Sequence, residues 1–239
     1  MCYHYSVSSS DKEIEKRFTA KFKPEYVHNK VWHNNGYNHI PMPIITADEP
    51  EAINMYQWGL IPHWVKTDAD AKKLSNQTLN AKGETVFDLP SFKMYIGKKR
   101  CLVIADGFFE WMHVGKEKYP HYIYMKDKQP FAFAGIYSHW KNPATNETIK
   151  TYSILTTEAN SLMKKIHNSK GRMPLILRPD MERQWLKPEL MKDEIKNLIL
   201  PLEDELMEAH TISKLITSRT ESSNQERVVD VCEYPELLV

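Results

Sequence analysis

Cys101-Leu102-Val103-Ile104-Ala105 is an unbroken apolar run, the pattern of a strand buried on both faces. Asp106-Gly107 turns the chain, and Phe108-Phe109-Glu110-Trp111 resumes the extended pattern. His121 to Met125, Phe131 to Trp140 and Tyr152 to Thr156 follow, each rich in aromatic and β-branched residues. Asn142-Pro143 and Asn146 mark a turn between two of these runs. So much strand pattern in the centre of the chain predicts a mainly antiparallel, barrel-like sheet, and the flanking segments supply helices around it.

On the N-terminal side, Ser10-Asp11-Lys12-Glu13 is a capping box, and Ile14, Phe18 and Phe22 follow at helical spacing. Val27 to His33 reads as a strand. Pro41-Met42-Pro43 breaks the chain before the short apolar run Ile44-Ile45, and Ile53 to Trp58 reads as another strand. Asp68 to Asn76 is helix-compatible, and Ser91 to Lys99 suits a short helix. On the C-terminal side, Asn160 caps a helix that reaches His167, and Pro174 to Leu177 is a short strand. Pro179 to Trp185 and Pro188 to Leu200 suggest helices opened by proline. Thr211 to Thr217 reads as a last strand before a polar loop. The simplest assembly is one α+β domain over residues 1–239.

Charge narrows the function classes. The chain has Lys+Arg 32 against Asp+Glu 31, a net charge of +1, which excludes a histone-like polycation but not a local basic groove. Cys 3, at scattered positions, makes no disulfide framework and suits a reducing compartment. No apolar run approaches the ~20 residues that span a bilayer. Asp11, Lys12 and Glu13 interrupt the place of a signal-peptide core. The expectation is a soluble, cytoplasmic, monomeric protein. His 10 invites a metal, but there is no Cys-x-x-Cys or His-Glu-x-x-His, and no glycine-rich phosphate loop. No metal and no nucleotide cofactor is expected.

Several short stretches carry chemistry. Removal of Met1 would leave Cys2 with a free α-amine beside its thiol; the plain alternative is a small residue starting a strand. Strand alternation points Glu110 away from Phe109 and Trp111. If that face lines a pocket, desolvation raises its pKa and suits it to proton transfer; otherwise Glu110 faces solvent. Asn80 and Lys82 offer an amide and a cation, or ordinary loop capping. His167 stands at a helix end before a loop with Lys170 and Arg172, which suits a proton shuttle and phosphate grips, or a capping histidine and a solvated loop. Trp58 reads as a core anchor, and Trp64 as a stacking surface or wedge.

These stretches occur together and in order. Met1-Cys2, Trp58-Gly59-Leu60-Ile61-Pro62, Asn80-Ala81-Lys82-Gly83-Glu84-Thr85, Arg100 to Trp111, and His167 before Arg172-Met173-Pro174 resemble the SRAP family, the SOS-response-associated peptidases that sense abasic sites. The resemblance spans residues 2 to 186, with residues 187–239 a C-terminal addition to the motif-bearing core. It implies a covalent crosslink to abasic sites in single-stranded DNA. The Cys2 amine would condense with the opened sugar aldehyde, and the thiol would close a thiazolidine ring. An α-amine with a pKa of about 8 is partly neutral at pH 7, which a lysine is not. By the resemblance, Asn80 would orient the amine or sugar, Glu110 would move protons, and His167 would protonate the sugar oxygen. Lys82, Arg172 and Lys170 would hold phosphates, and Trp64 and Pro41 would line the DNA path. It also implies autocatalytic removal of Met1 and a strand-cleaving lyase side activity.

Three departures stand out. The family's usual start, Cys-Gly-Arg, is Cys2-Tyr3-His4 here; its Asn-Ala-Arg is Asn80-Ala81-Lys82, which loses the bidentate fork. Asn168-Ser169-Lys170-Gly171 separates His167 from Arg172, where the family histidine stands closer to Arg-Met-Pro. A non-covalent reader of modified or single-stranded DNA and an N-terminal-nucleophile peptidase are the competing readings.

Overall fold

The computed structural model describes residues 2–237. The chain runs through β1 (His4–Val7), α1 (Asp11–Phe18), β2 (Lys21–Phe22), β3 (Val31–Asn35), β4 (Pro41–Thr46), β5 (Glu49–Trp58), α2 (Asp68–Gln77) and β6 (Asn80–Lys82). It continues through β7 (Arg100–Ala105), β8 (Gly107–Val114), β9 (Glu117–Met125), β10 (Phe131–Lys141) and β11 (Thr148–Glu158). After α3 (Ser161–Ile166) come β12 (Arg172–Pro174), β13 (Ile176–Leu177), α4 (Pro179–Leu186), α5 (Lys192–Asn197) and β14 (Met207–Thr211).

The apolar run at Cys101 lies at the heart of a closed ring. All of β7 is buried, with β10 on one side and β4 on the other. β10 pairs onward with β11, and β4 with β5, all antiparallel. β5 then meets β11 in parallel, Thr151 opposite Gln57 and Tyr152 opposite Trp58. A five-strand ring cannot alternate direction throughout, so one joint must be parallel. Closure removes the exposed edges that an open sheet would present. The second sheet is antiparallel, in the order β14-β9-β8-β1-β3. An α+β fold with a mainly antiparallel, barrel-like sheet is thus what the chain adopts.

The chain crosses from ring to second sheet at Asp106, and this crossing sets the site. The Asp106 carboxylate accepts the amides of Ser8 and Ser9 at 2.6 and 2.8 Å, pinning the chain just after β1. Next to it, Gly107 has no room for a side chain, because a methyl group would overlap the buried Tyr122 ring. β1 pairs with β8 through Tyr5 opposite Phe108 and Ser6 opposite Gly107. Tyr5 also packs on Trp58 and Phe133, with ring centroids at 5.0 and 5.8 Å, and its hydroxyl meets that of Tyr152 at 2.6 Å. The N-terminal strand is therefore fastened to both sheets.

Arg100 anchors the segment before β7. It is fully buried, and its guanidinium donates to the carbonyls of Trp185 and Ile96 at 2.7 and 2.8 Å and to those of Gly97 and Lys187. Burial lowers its pKa to about 10. Carbonyl dipoles accept its hydrogen bonds, and the charge of Glu189 offsets part of the desolvation of this cation.

Local structure departs from the sequence reading in six places. α1 stops at Phe18 because Thr19 turns left-handed (φ 50°) and Arg183 donates to the carbonyls of Phe18 and Thr19; Phe22 joins β2. The strand expected at Val27 starts at Val31, and Val27 is 80% exposed. Pro41 and Pro43 lie inside β4 rather than breaking it. β4 pairs with β7 only from Ile44 onward, so their missing N–H groups cost no ladder bond. Residues 91–99 form successive turns, not a helix. The helix expected from Pro188 is only Lys192–Asn197. The strand expected over Thr211 to Thr217 lies upstream, at Met207–Thr211. Pairing with β9 selects that segment, and Ser213 caps a 3-10 turn over Lys214–Thr217.

Candidate active site

Four elements converge on the start of β1. Cys2, ahead of β1, is fully buried, and its Sγ donates to the His4 carbonyl at 3.4 Å. The sulfur is thus enclosed rather than open to solvent. Burial pushes the thiol pKa up, and the charge of Glu110 pushes it further, so Cys2 is a neutral thiol here. Asn80, at the start of β6, donates its Nδ2 to the Cys2 carbonyl at 2.8 Å. β6 is held beside Cys2 by parallel pairing with β11, Asn80 opposite Ile154. The buried Asn80 Oδ1 has no partner among the described residues. Met1 lies outside the described residues.

Glu110 comes from β8. Alternation places Phe109 and Trp111 in a separate apolar cluster and turns Glu110 to the other face, as expected. Burial raises its pKa to about 7, against the opposing pull of the Trp111 amide and Lys170. His167 caps the C-terminus of α3, and its Nδ1 lies 3.9 Å from Glu110 Oε1 and 2.7 Å from the Arg172 carbonyl. The carbonyl fixes the proton on Nδ1 and leaves Nε2 as the nitrogen that exchanges protons. Burial lowers the His167 pKa, which the Arg172 carbonyl partly offsets. Glu110 thus stands near neutrality, as proton transfer at physiological pH requires, while burial favours the uncharged imidazole of His167.

The extra residues between His167 and Arg172 do not separate them. Lys170 and Gly171 donate their amides back to the His167 carbonyl at 3.3 and 2.9 Å, and Gly171 takes a left-handed φ of 56°. The loop closes on itself, and His167 meets Arg172 directly. Asn168 fastens the loop to β8 by a two-way bond to the His113 backbone, at 3.1 and 2.8 Å. An open cleft of about 440 Å³ lies over these groups, with Tyr3, Glu110, Trp111, His167 and Lys170 in its wall.

The residues carried over as phosphate grips divide. Lys170 is at the cleft and Lys82 is exposed at the end of β6. Arg172 is engaged elsewhere. Its guanidinium pairs with both Glu84 oxygens and with the Thr156 carbonyl at 2.9 Å, so its present role is to hold β12 and present its carbonyl to His167. Trp64, 47% exposed, and Pro41 line two other hollows. Among the described residues no group of His, Cys, Asp and Glu could hold a metal, and no helix is long and apolar enough to cross a membrane.

Comparison with known proteins bears on the family and the fold. Residues 1–219 match the family described as SOS response associated peptidase (SRAP). The chain belongs to the SRAP family. It is 34% identical over 226 residues to the abasic site processing protein YoqW of Bacillus subtilis, covering 93% of this chain and 97% of that one. It is 34% identical over 194 residues to the abasic site processing protein HMCES of Gallus gallus, covering 72% of this chain and 56% of that one. A solved protein from Bacteroides thetaiotaomicron superposes with a TM-score of 0.91 at 38% identity, over 97% of this chain and 100% of that one.

Within the SRAP frame, the altered start has a structural account. His4 is half-buried. It stacks on His33 with centroids at 5.1 Å, and a 2.9 Å bond joins His4 Nδ1 to His33 Nε2. Burial, with the neighbouring His33, lowers the His4 pKa to about 3, so it carries no charge to a phosphate at neutral pH. The Glu84 clamp on Arg172 and the Asn168 clamp escaped the sequence reading. Glu84 stood inside the quoted Asn80-to-Thr85 stretch, two residues from Lys82; nothing local marked Asn168.

Proposed function

We propose that this chain processes abasic sites in DNA by capturing the opened sugar on Cys2. The observation that carries the reading is the Asn80 amide held 2.8 Å from the Cys2 carbonyl, with the Glu110–His167 pair beside the same residue. Relatives named as abasic site processing proteins support it. The substrate is single-stranded DNA, whose backbone the cations at Lys170 and Lys82 suit. The expected setting is the cytoplasm, on nucleoid DNA.

The chemistry balances without a cofactor. Removal of Met1, by the chain itself or by an aminopeptidase, frees the Cys2 amine. His167 Nε2 takes the proton of the sugar's anomeric hydroxyl and passes it to the ring oxygen, so the ring C–O bond breaks as the C=O of the aldehyde forms. The neutral amine adds to the carbonyl carbon and one water leaves, forming a Schiff base. The Cys2 thiol then adds across the C=N bond, its proton passing to Glu110 and on to the nitrogen, and the five-membered ring closes. Two groups on adjacent carbons make the second step intramolecular. The enclosed thiol must swing open to meet the sugar. Elimination from the Schiff base would cleave the strand, a side activity of the same intermediate.

The test is a denaturing gel after incubation with single-stranded DNA holding one abasic site. A heat-stable shifted band is expected for protein beginning at Cys2, and none for protein that retains Met1 or for intact DNA. Equal bands with and without Met1 would end the proposal. The buried thiol favours a second reading, a non-covalent reader of abasic or single-stranded DNA. A reader would bind equally well as Cys2→Ala and form no band at all.

A further inference from the structure

Two stacked aromatic rings, one of them in the cleft wall, have no part in the proposed chemistry. Tyr3, directly after Cys2, lines the cleft wall. Its ring stacks on Tyr37, with centroids 5.5 Å apart and planes 30° from parallel. Tyr37 is 49% exposed, so the outer face of the stack meets water. The backbone beneath is held in place. Gly36 donates its amide to the Tyr3 carbonyl at 2.8 Å, and Asn35 Oδ1 accepts the Tyr37 amide at 3.1 Å. Lys118 and Lys170 also line the cleft. A fixed aromatic face beside cations is the combination that binds a single strand, with bases stacking on rings and lysines following the phosphates. Where the family sequence places glycine after the cysteine, this chain places Tyr3 and so gains the inner half of the stack.

We propose that the Tyr3–Tyr37 stack is a subsite for the nucleobase next to the abasic sugar. The outer face of Tyr37 takes the base, and Tyr3 ties that platform to Cys2. A lesion without its own base then gains affinity and register from its neighbour. The inference rests on the reading of the substrate as abasic single-stranded DNA.

The experiment uses the full chain and DNA with a tetrahydrofuran spacer, which cannot open to an aldehyde, so only equilibrium binding is read by fluorescence anisotropy. One strand keeps the bases on both sides of the spacer; in the other, those neighbours are spacers too. One stacked base corresponds to a loss of roughly 5- to 150-fold. Tyr37→Ala and Tyr37→Leu should show that loss on the first strand and less than about twofold on the second, and Tyr37→Phe should bind both like the parent. Tyr37→Leu keeps the bulk of the side chain, so a folding defect would separate it from Tyr37→Phe in circular dichroism. Equal losses on both strands, or none on the first, overturn the subsite. Adduct formation on a true abasic site is scored separately, so a missing adduct would refute the capture chemistry while the spacer result still decides the subsite.

Discussion

Replacing Glu110 with glutamine should make the folded protein more stable at alkaline pH and leave it unchanged at acid pH. Glu110 is 5% exposed, and burial raises its pKa to about 7 from an ordinary 4.5. The folded state therefore keeps this proton up to about pH 7, whereas the unfolded chain releases it near pH 4.5. Between those values the folded state binds more protons, and stability falls as pH rises. At 1.36 kcal/mol per pKa unit the carboxylate costs about 3 kcal/mol once pH passes 7. Glutamine has a similar shape and no charge, so Glu110→Gln removes that cost. Urea denaturation of both proteins from pH 4.5 to 8.5 reads the difference. The two midpoints should coincide near pH 4.5 and separate through pH 7 to a gap of up to ~3 kcal/mol in favour of the variant. A constant gap across the range, or a less stable variant at pH 8.5, would refute a buried, elevated carboxyl group at this position.

The same substitution should slow adduct formation by about 10²- to 10⁴-fold, the usual contribution of a positioned acid–base group. Single-turnover rates should rise with pH through about 7 in the parent and lose that limb in Glu110→Gln. Asn80→Ala removes the bond to the Cys2 carbonyl. It should lower thermal stability by about 1 kcal/mol and reduce the single-turnover rate more than DNA affinity; an unchanged rate would remove Asn80 from the site. Arg100→Met leaves buried carbonyls without a donor, and calorimetry should show a loss of at least ~3 kcal/mol. Gly107→Ala forces a methyl group into Tyr122, and denaturation should show a loss of about 1–3 kcal/mol or more.

Where a feature depends on neighbours in sequence, it was legible. The capping box at Ser10 forms with both of its bonds. The run from Cys101 is a fully buried strand, and alternation along β8 turns Glu110 away from Phe109 and Trp111. Features that depend on distant parts of the chain were not legible. Ring closure rests on a parallel contact between Trp58 and Tyr152, which strand propensity cannot foretell. Thr19 ends α1 because Arg183, far along the chain, holds its carbonyl. Arg100 is drawn into the core by carbonyls from the preceding turn, Ile96 and Gly97, and from one distant segment, Trp185 and Lys187. Cys2 shows the same limit. Its position suggests a terminal nucleophile, and the main core packed around the start of β1 encloses its sulfur.

Mass spectrometry of the purified adduct bears most directly on the capture chemistry. If the amine and thiol of Cys2 both join the sugar carbon, the adduct mass equals protein without Met1 plus DNA minus one water. Digestion should place the DNA on the Cys2 peptide, and iodoacetamide should alkylate Cys101 and Cys232 after unfolding but not Cys2. DNA attached to any other peptide, or a Cys2 thiol that still alkylates, would contradict the ring.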